Sequence, residues 1–144
     1  MRTDARVFAF KFIFTDLFDA NEDGEEQINV LKEEHILNDK DMSFSQSIIE
    51  AYKANKETIQ NDVKNALKGY ELERVFKVDL ALIYTAVAEY RHISTPKPIV
   101  VNEVLEIAKK YSTDKSSGFI NGVLAKVNWL WVKLLLLYLN LQDT

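Results

Sequence analysis

Residues 98–126 read PIVVNEVLEIAKKYSTDKSSGFINGVLAK, and they decide the fold. Pro98 stands where a first helical residue loses no needed N–H, and Asn102 and Glu103 put polar and acidic groups where the helix dipole favours them. Val101, Val104, Leu105, Ala108 and Tyr111 then recur at helical spacing. The polar joint from Ser112 to Ser117 breaks the pattern, and Ser116 or Ser117 can cap a second helix. That helix carries Gly118, Phe119, Ile120, Asn121, Gly122, Val123 and Leu124, and its polar part closes at Lys126. Glycine inside a helix costs about 1 kcal/mol, so Gly122 is expected to let another element approach its backbone. Asn121 is expected to hydrogen-bond a neighbouring backbone group.

Upstream, Leu72, Phe76, Leu80, Ile83, Val87 and Tyr90 mark a helix stopped by the loop from His92 to Pro98. Phe44, Ile48, Tyr52, Ile59, Val63, Leu67 and Tyr70 predict one long amphipathic helix. Ser43 would cap it after a polar loop from Asn38, and Gly69 would end it. Ile28, Leu31, His35 and Ile36 mark a shorter helix behind a turn at residues 21–24. The first segment is ambiguous. Phe8, Phe10, Phe12 and Phe14 alternate like a strand, whereas Phe10, Phe14, Leu17 and Phe18 share a helical stripe.

The two helices of residues 98–126 resemble the C-terminal half of the NusB family of bacterial transcription antitermination factors. Its hallmark there is P-x-x-V-x-I-N-E-A-V-E-L-A-K-x-Y, a polar joint, then F-V-N-G-V-L-D-K. Lys77 to Tyr90, KVDLALIYTAVAEY, is similar to the family's V-D-R-A-I-L-R-L-A-x-Y-E-L helix, with Tyr84 in place of a common arginine. Arg2 to Arg6 resembles the R-x-x-A-R opening, so the likeness covers about residues 1–127. It implies a helix from about residue 2 to 19. The expected fold is all-α, a NusB-like bundle of about six to seven helices in two small subdomains. Residues 128–144 form an atypical hydrophobic tail, apolar all round, that the family pattern lacks. A membrane span needs about 20 apolar residues, and this run is shorter and carries Lys133. A buried helix or dimer contact, an interfacial anchor, and an extension foreign to the fold all remain open for it.

With 47% hydrophobic residues and only four Gly and two Pro, the 144-residue chain suits packed helices. The absence of cysteine fits a reducing cytoplasm, and charges within the first six residues argue against a signal peptide. The net charge of −4 hides an asymmetry: residues 16–41 carry −8 and the remainder +4. A basic surface is thus available outside that acidic arm. His35 and His92 lie far apart with no cysteine, which gives no basis for a metal site. No glycine-rich phosphate loop or nucleophile elbow is legible. Paired acids such as Glu33 and Glu34 read as a solvated face. Neither a catalytic residue nor a cofactor is expected.

The resemblance implies an adaptor that grips boxA-like RNA of ribosomal RNA leader transcripts together with a small-subunit ribosomal protein acting as NusE. RNA polymerase and other antitermination factors would be met indirectly, and a homodimer is possible. Arg2 and Arg6 match the arginines of the opening motif, with Lys11 further along the same helix; the bland alternative is a wet helix face. Asp4 thins that cluster. Phe119 falls where the family places an aromatic near RNA, with a core role as its alternative, and Lys115 stands at a place often acidic in the family. One positive path is expected to join these five residues. The resemblance puts Phe14 and Asp79 on helices facing the ribosomal protein, with a core role as the equal alternative for Phe14. A second reading is a helical interaction module without RNA binding, using the acidic arm and the tail. A third, the RNA-targeting domain of a ribosomal RNA methyltransferase, is disfavoured because no glycine-rich cofactor loop follows.

Overall fold

The alternating phenylalanines of the first segment lie on a helix. The computed structural model describes residues 2–18, 24–67 and 69–142, with backbone only for 128–133 and 142. Among the described residues every regular element is helical: α1 (Arg2–Phe18), α2 (Glu25–Glu34), α3 (Asp39–Ala54), α4 (Lys56–Ala66), α5 (Lys77–His92), α6 (Lys97–Tyr111) and α7 (Ser116–Gln142), with a single 3-10 turn at Leu72–Arg74. α1 packs between α3 and α5, so its apolar residues spread over more than one face and mimic a strand pattern. Phe8, Phe10 and Phe12 are all buried.

α5 is the axle of the molecule. Every residue from Asp79 to Glu89 is buried, and the helix touches α1, α3, α4, α6 and α7. α1, α2 and α3 gather on one side of it and α4, α6 and α7 on the other. The two groups share one continuous apolar core. Tyr84, fully buried, stacks on Tyr52 with ring centroids 5.8 Å apart, so it serves that core.

Several boundaries differ from the sequence reading, each for a local reason. Asn38, not Ser43, caps α3: its Oδ1 accepts from the Asp41 N–H at 2.8 Å. The expected long helix breaks at Asn55, whose backbone N–H and side-chain amide both donate to the Ala51 carbonyl. Ile59 and Val63 still face the core beyond the break, which is why the stripe looked unbroken. α4 ends at Ala66, and Gly69 turns the chain at φ +84°. Tyr70 and Phe76 are exposed there rather than lining a helical stripe.

The three other glycines fall into two kinds. Gly24 precedes α2 at φ +67°, and a Cβ there would come 2.5 Å from the Phe12 ring. Gly118 and Gly122 face open space, with nothing within 4 Å of an added Cβ. The close approach expected at Gly122 is therefore not made among the described residues, and Asn121 is exposed rather than tied down.

α7 does not stop at Lys126 but runs on to Gln142. Ser116, Ile120, Val123, Leu124 and Val127 form its buried face. Leu134 to Leu139 and Leu141 are exposed, so burial in this chain's core is not their role. No helix among the described residues is long and apolar enough to cross a membrane.

Candidate nucleic-acid interface

Arg6 is not on the surface. Its guanidinium is buried and forks onto Glu89, Nε to Oε1 at 2.7 Å and Nη2 to Oε2 at 2.8 Å, with Glu103 3.7 Å from Nη1. Burial works against the charge, but the hydrogen bonds and charge of Glu89, helped by Glu103, outweigh it and raise the Arg6 pKa. The reading of Arg6 as a phosphate contact is corrected. Two of its donors are spent on Glu89 of α5 and its charge is shared with Glu103 of α6, so it holds the bundle.

Arg2 is exposed, with its guanidinium 4.4 Å above the Phe44 ring, an arrangement that leaves the donor edges open to solvent. Lys11 is half-buried. Its Nζ donates to His35 Nε2 at 2.9 Å, which requires the neutral imidazole with its proton on Nδ1. Glu34 stands 4.0 Å from the same ammonium. Lys11 thus belongs to a groove between α1 and α2 rather than to an open basic face.

Asp79 is buried as well. It accepts from the Ser112 hydroxyl on one oxygen and from Ser116 Oγ, 3.0 Å away, on the other. Ser116 Oγ in turn accepts from the Thr113 N–H at 3.2 Å. This knot pins the α6–α7 joint to the start of α5, so Asp79 positions the joint and does not present a charge to a partner. Asp79 and Glu89 are ten residues apart on α5, about 15 Å along its axis. Lys115 and Phe119 sit at the Asp79 end, while Arg6 sits at the Glu89 end and Arg2 beyond it. The five residues do not form one path: α1 runs antiparallel to α5 and carries its arginines away from the joint.

At the Asp79 end the side chains converge. Lys115 is exposed and makes no ion pair among the described residues. Phe119 is half-buried and meets Tyr70 edge to face, centroids 5.4 Å apart. Arg74, Phe76 and Thr113 complete the rim of a depression of about 220 Å³. The sequence reading missed Tyr70, Arg74 and Phe76 because it placed them on continuous helices; Gly69 was the signal that Tyr70 lies beyond one.

A larger groove of about 540 Å³ opens between α1, α2 and the start of α5. Phe10, Phe14, Val30, Val78 and Tyr111 form its apolar floor, with Lys11, Glu26 and Glu34 on the rim. Phe14 lies there, half-buried between Phe10 and Phe18. Among the described residues, no group of three or more His, Cys, Asp or Glu stands together to hold a metal ion.

The sequence model of the NusB family matches residues 3–128. The chain belongs to the NusB family. A transcription antitermination protein NusB of Acetivibrio thermocellus is 36% identical over 127 residues, covering 88% of this chain and 87% of the relative. The NusB of Staphylococcus epidermidis is 33% identical over 128 residues, covering 88% and 98%. Among solved structures, T. maritima NusB superimposes with a TM-score of 0.79 at 27% identity, covering 88% of this chain and 89% of that one. A crystal structure of the antitermination factors NusB and NusE in complex with dsRNA shares the fold, with a TM-score of 0.79 at 22% identity over 88% and 94% of the chains. The family match ends at residue 128, so most of the exposed apolar part of α7 lies beyond it.

Proposed function

We propose that this chain is a transcription antitermination factor that binds boxA-type RNA of ribosomal RNA leader transcripts jointly with a small-subunit ribosomal protein acting as NusE. The complex would help RNA polymerase read through terminators. Membership of the NusB family across residues 3–128 carries this reading. Two features of the site support it. The groove floored by Phe10, Phe14 and Val78 offers an apolar seat flanked by acids, suited to a basic ribosomal protein. The RNA would lie at the α6–α7 joint, where Lys115 offers a phosphate contact and Phe119 an aromatic surface. Arg2 is left as an outlying phosphate contact at the far end.

With −4 overall and Arg6 tied to Glu89, few free cations on this chain face the transcript. The partner therefore supplies part of the grip. Mass measured in solution tests the pairing: the chain mixed with the ribosomal protein forms a one-to-one complex, and Phe14→Ala weakens it by tenfold or so, equivalent to about 1.4 kcal/mol. A mixture that shows only the separate components contradicts the reading.

A further inference from the structure

The last turns of α7 are an apolar rod standing clear of the bundle. Leu134 to Leu139 and Leu141 are exposed, and no charged residue interrupts residues 134–142. The groove between α1 and α2 is the converse, a hollow with an apolar floor and charged edges. We propose that the tail of one copy of this chain seats in the α1–α2 groove of a second copy, closing that groove to the ribosomal protein while the pair lasts. The closure rests on the reading of the groove as the ribosomal protein's seat; the docking of one copy on another does not.

A chain cannot dock its own tail. Val78 and Tyr111 place the groove at the joint end of the bundle, where Asp79 holds Ser116. From Ser116 the helix α7 runs unbroken, carrying Leu134 about 27 Å and Leu141 about 38 Å away from that end. The leucines leave by the opposite end, and only another molecule brings a groove to them. Two copies lying antiparallel can exchange tails about a two-fold axis, which closes the pair and prevents open-ended assembly.

Shape and charge both match this occupant. The groove encloses about 540 Å³, room for more than one leucine side chain. Val30 on its lining is 52% exposed, and Phe18, in contact with Phe14, is 65% exposed, so the apolar surface spreads beyond the hollow itself. Leu134, Leu137 and Leu141 recur at i, i+3 and i+7, the spacing with which a helix sets its anchors into a groove. α7 carries Lys126 and Lys133 and no acid, whereas residues 16–41, which supply α2 and the groove edge, sum to −8. The two surfaces therefore attract each other at close range. An anionic lipid surface would instead repel a chain of net −4.

The test is the average mass of the full chain against concentration, by sedimentation equilibrium. The parent rises from 16.6 kDa to about twice that. A tail variant, Leu134→Glu with Leu137→Glu and Leu141→Glu, and a groove variant, Val30→Arg, each associate at least about tenfold more weakly, because a charge would enter an apolar contact. All four positions are exposed, so circular dichroism of both variants matches the parent. Mixed together, the two variants pair more tightly than either does alone, since one keeps its groove and the other its tail. Adding the ribosomal protein splits the parent pair, and the tail variant binds it about tenfold more tightly than the parent does at concentrations where the parent is paired. A parent that keeps its single-chain mass overturns the docking, including one that binds phosphatidylcholine–phosphatidylglycerol vesicles through its tail. A groove variant that associates like the parent and ignores the tail variant also overturns it, because the tails then meet each other. Ribosomal protein that binds the parent pair without splitting it overturns the closure. Ribosomal protein that binds neither parent nor tail variant overturns the proposed function instead, and the masses still decide the docking.

Discussion

Arg6 and Glu89, 83 residues apart in the chain, grip each other at two points inside the bundle. Their side chains are 5% and 1% exposed. The pair ties α1 to α5 and fixes their antiparallel register. Removing one partner strands a buried charge, at a cost of about 3–5 kcal/mol. Arg6→Ala is therefore expected to lower the denaturant midpoint sharply, and Arg6→Met with Glu89→Leu to recover most of that loss. Any RNA defect of Arg6→Ala would follow from unfolding; a fully stable Arg6→Ala would refute the structural role.

His35 gives the fold a pH dependence. Burial lowers its pKa from 6.5, and the Lys11 charge adds to this; Lys110 pushes the same way, while Glu34 and Asp4 push back. The unfolded chain then binds the proton more readily than the folded one. Stability is complete above about pH 6.5 and declines as pH falls through the interval down to the folded pKa. Denaturant midpoints measured across that interval should fall, and His35→Gln should flatten the part of the slope that His35 contributes.

The two kinds of glycine respond oppositely to alanine. Gly122→Ala, on an open helix face, is expected to stabilise the fold by about 0.5–1 kcal/mol. Gly24→Ala must place a Cβ at positive φ and against Phe12, which costs at least about 1–2 kcal/mol. Thermal unfolding of both variants reads this directly; equal effects would mean the backbone at Gly24 is not fixed as described.

The exposed leucines of α7 are a liability in water. Deleting residues 134–144 is expected to leave unfolding free energy nearly unchanged, because Leu134 to Leu139 and Leu141 are exposed. It should also lower concentration-dependent association, read as average mass against protein concentration. A large stability loss would place the deleted segment in the core.

The helical fold was legible because spacing and capping are local. Residues 98–126 carried both, and α6 and α7 begin within a residue of the places those signals marked. Function was harder to place. A family motif names Arg6 and Asp79 but cannot say that Glu89 and Ser116 wait to satisfy them, since those pairings span 83 and 37 residues. Charge read along the chain also overstated the basic surface. Arg6 counts toward the +4 outside the acidic arm, yet it is neutralised inside the bundle. Tyr70 and Phe76 were hidden by continuous periodicity, which one Asn55 joint and one Gly69 turn suffice to interrupt.

The central claim is that two polypeptides hold one transcript, with this chain contributing the corner around Lys115 and Phe119. Titrating labelled boxA RNA with the chain alone, the ribosomal protein alone and the two together tests it most directly. The pair is expected to bind at least about tenfold more tightly than either component, and Lys115→Ala with Phe119→Ala to remove most of the gain. Equal affinity with and without the partner, or a gain untouched by those substitutions, would contradict it.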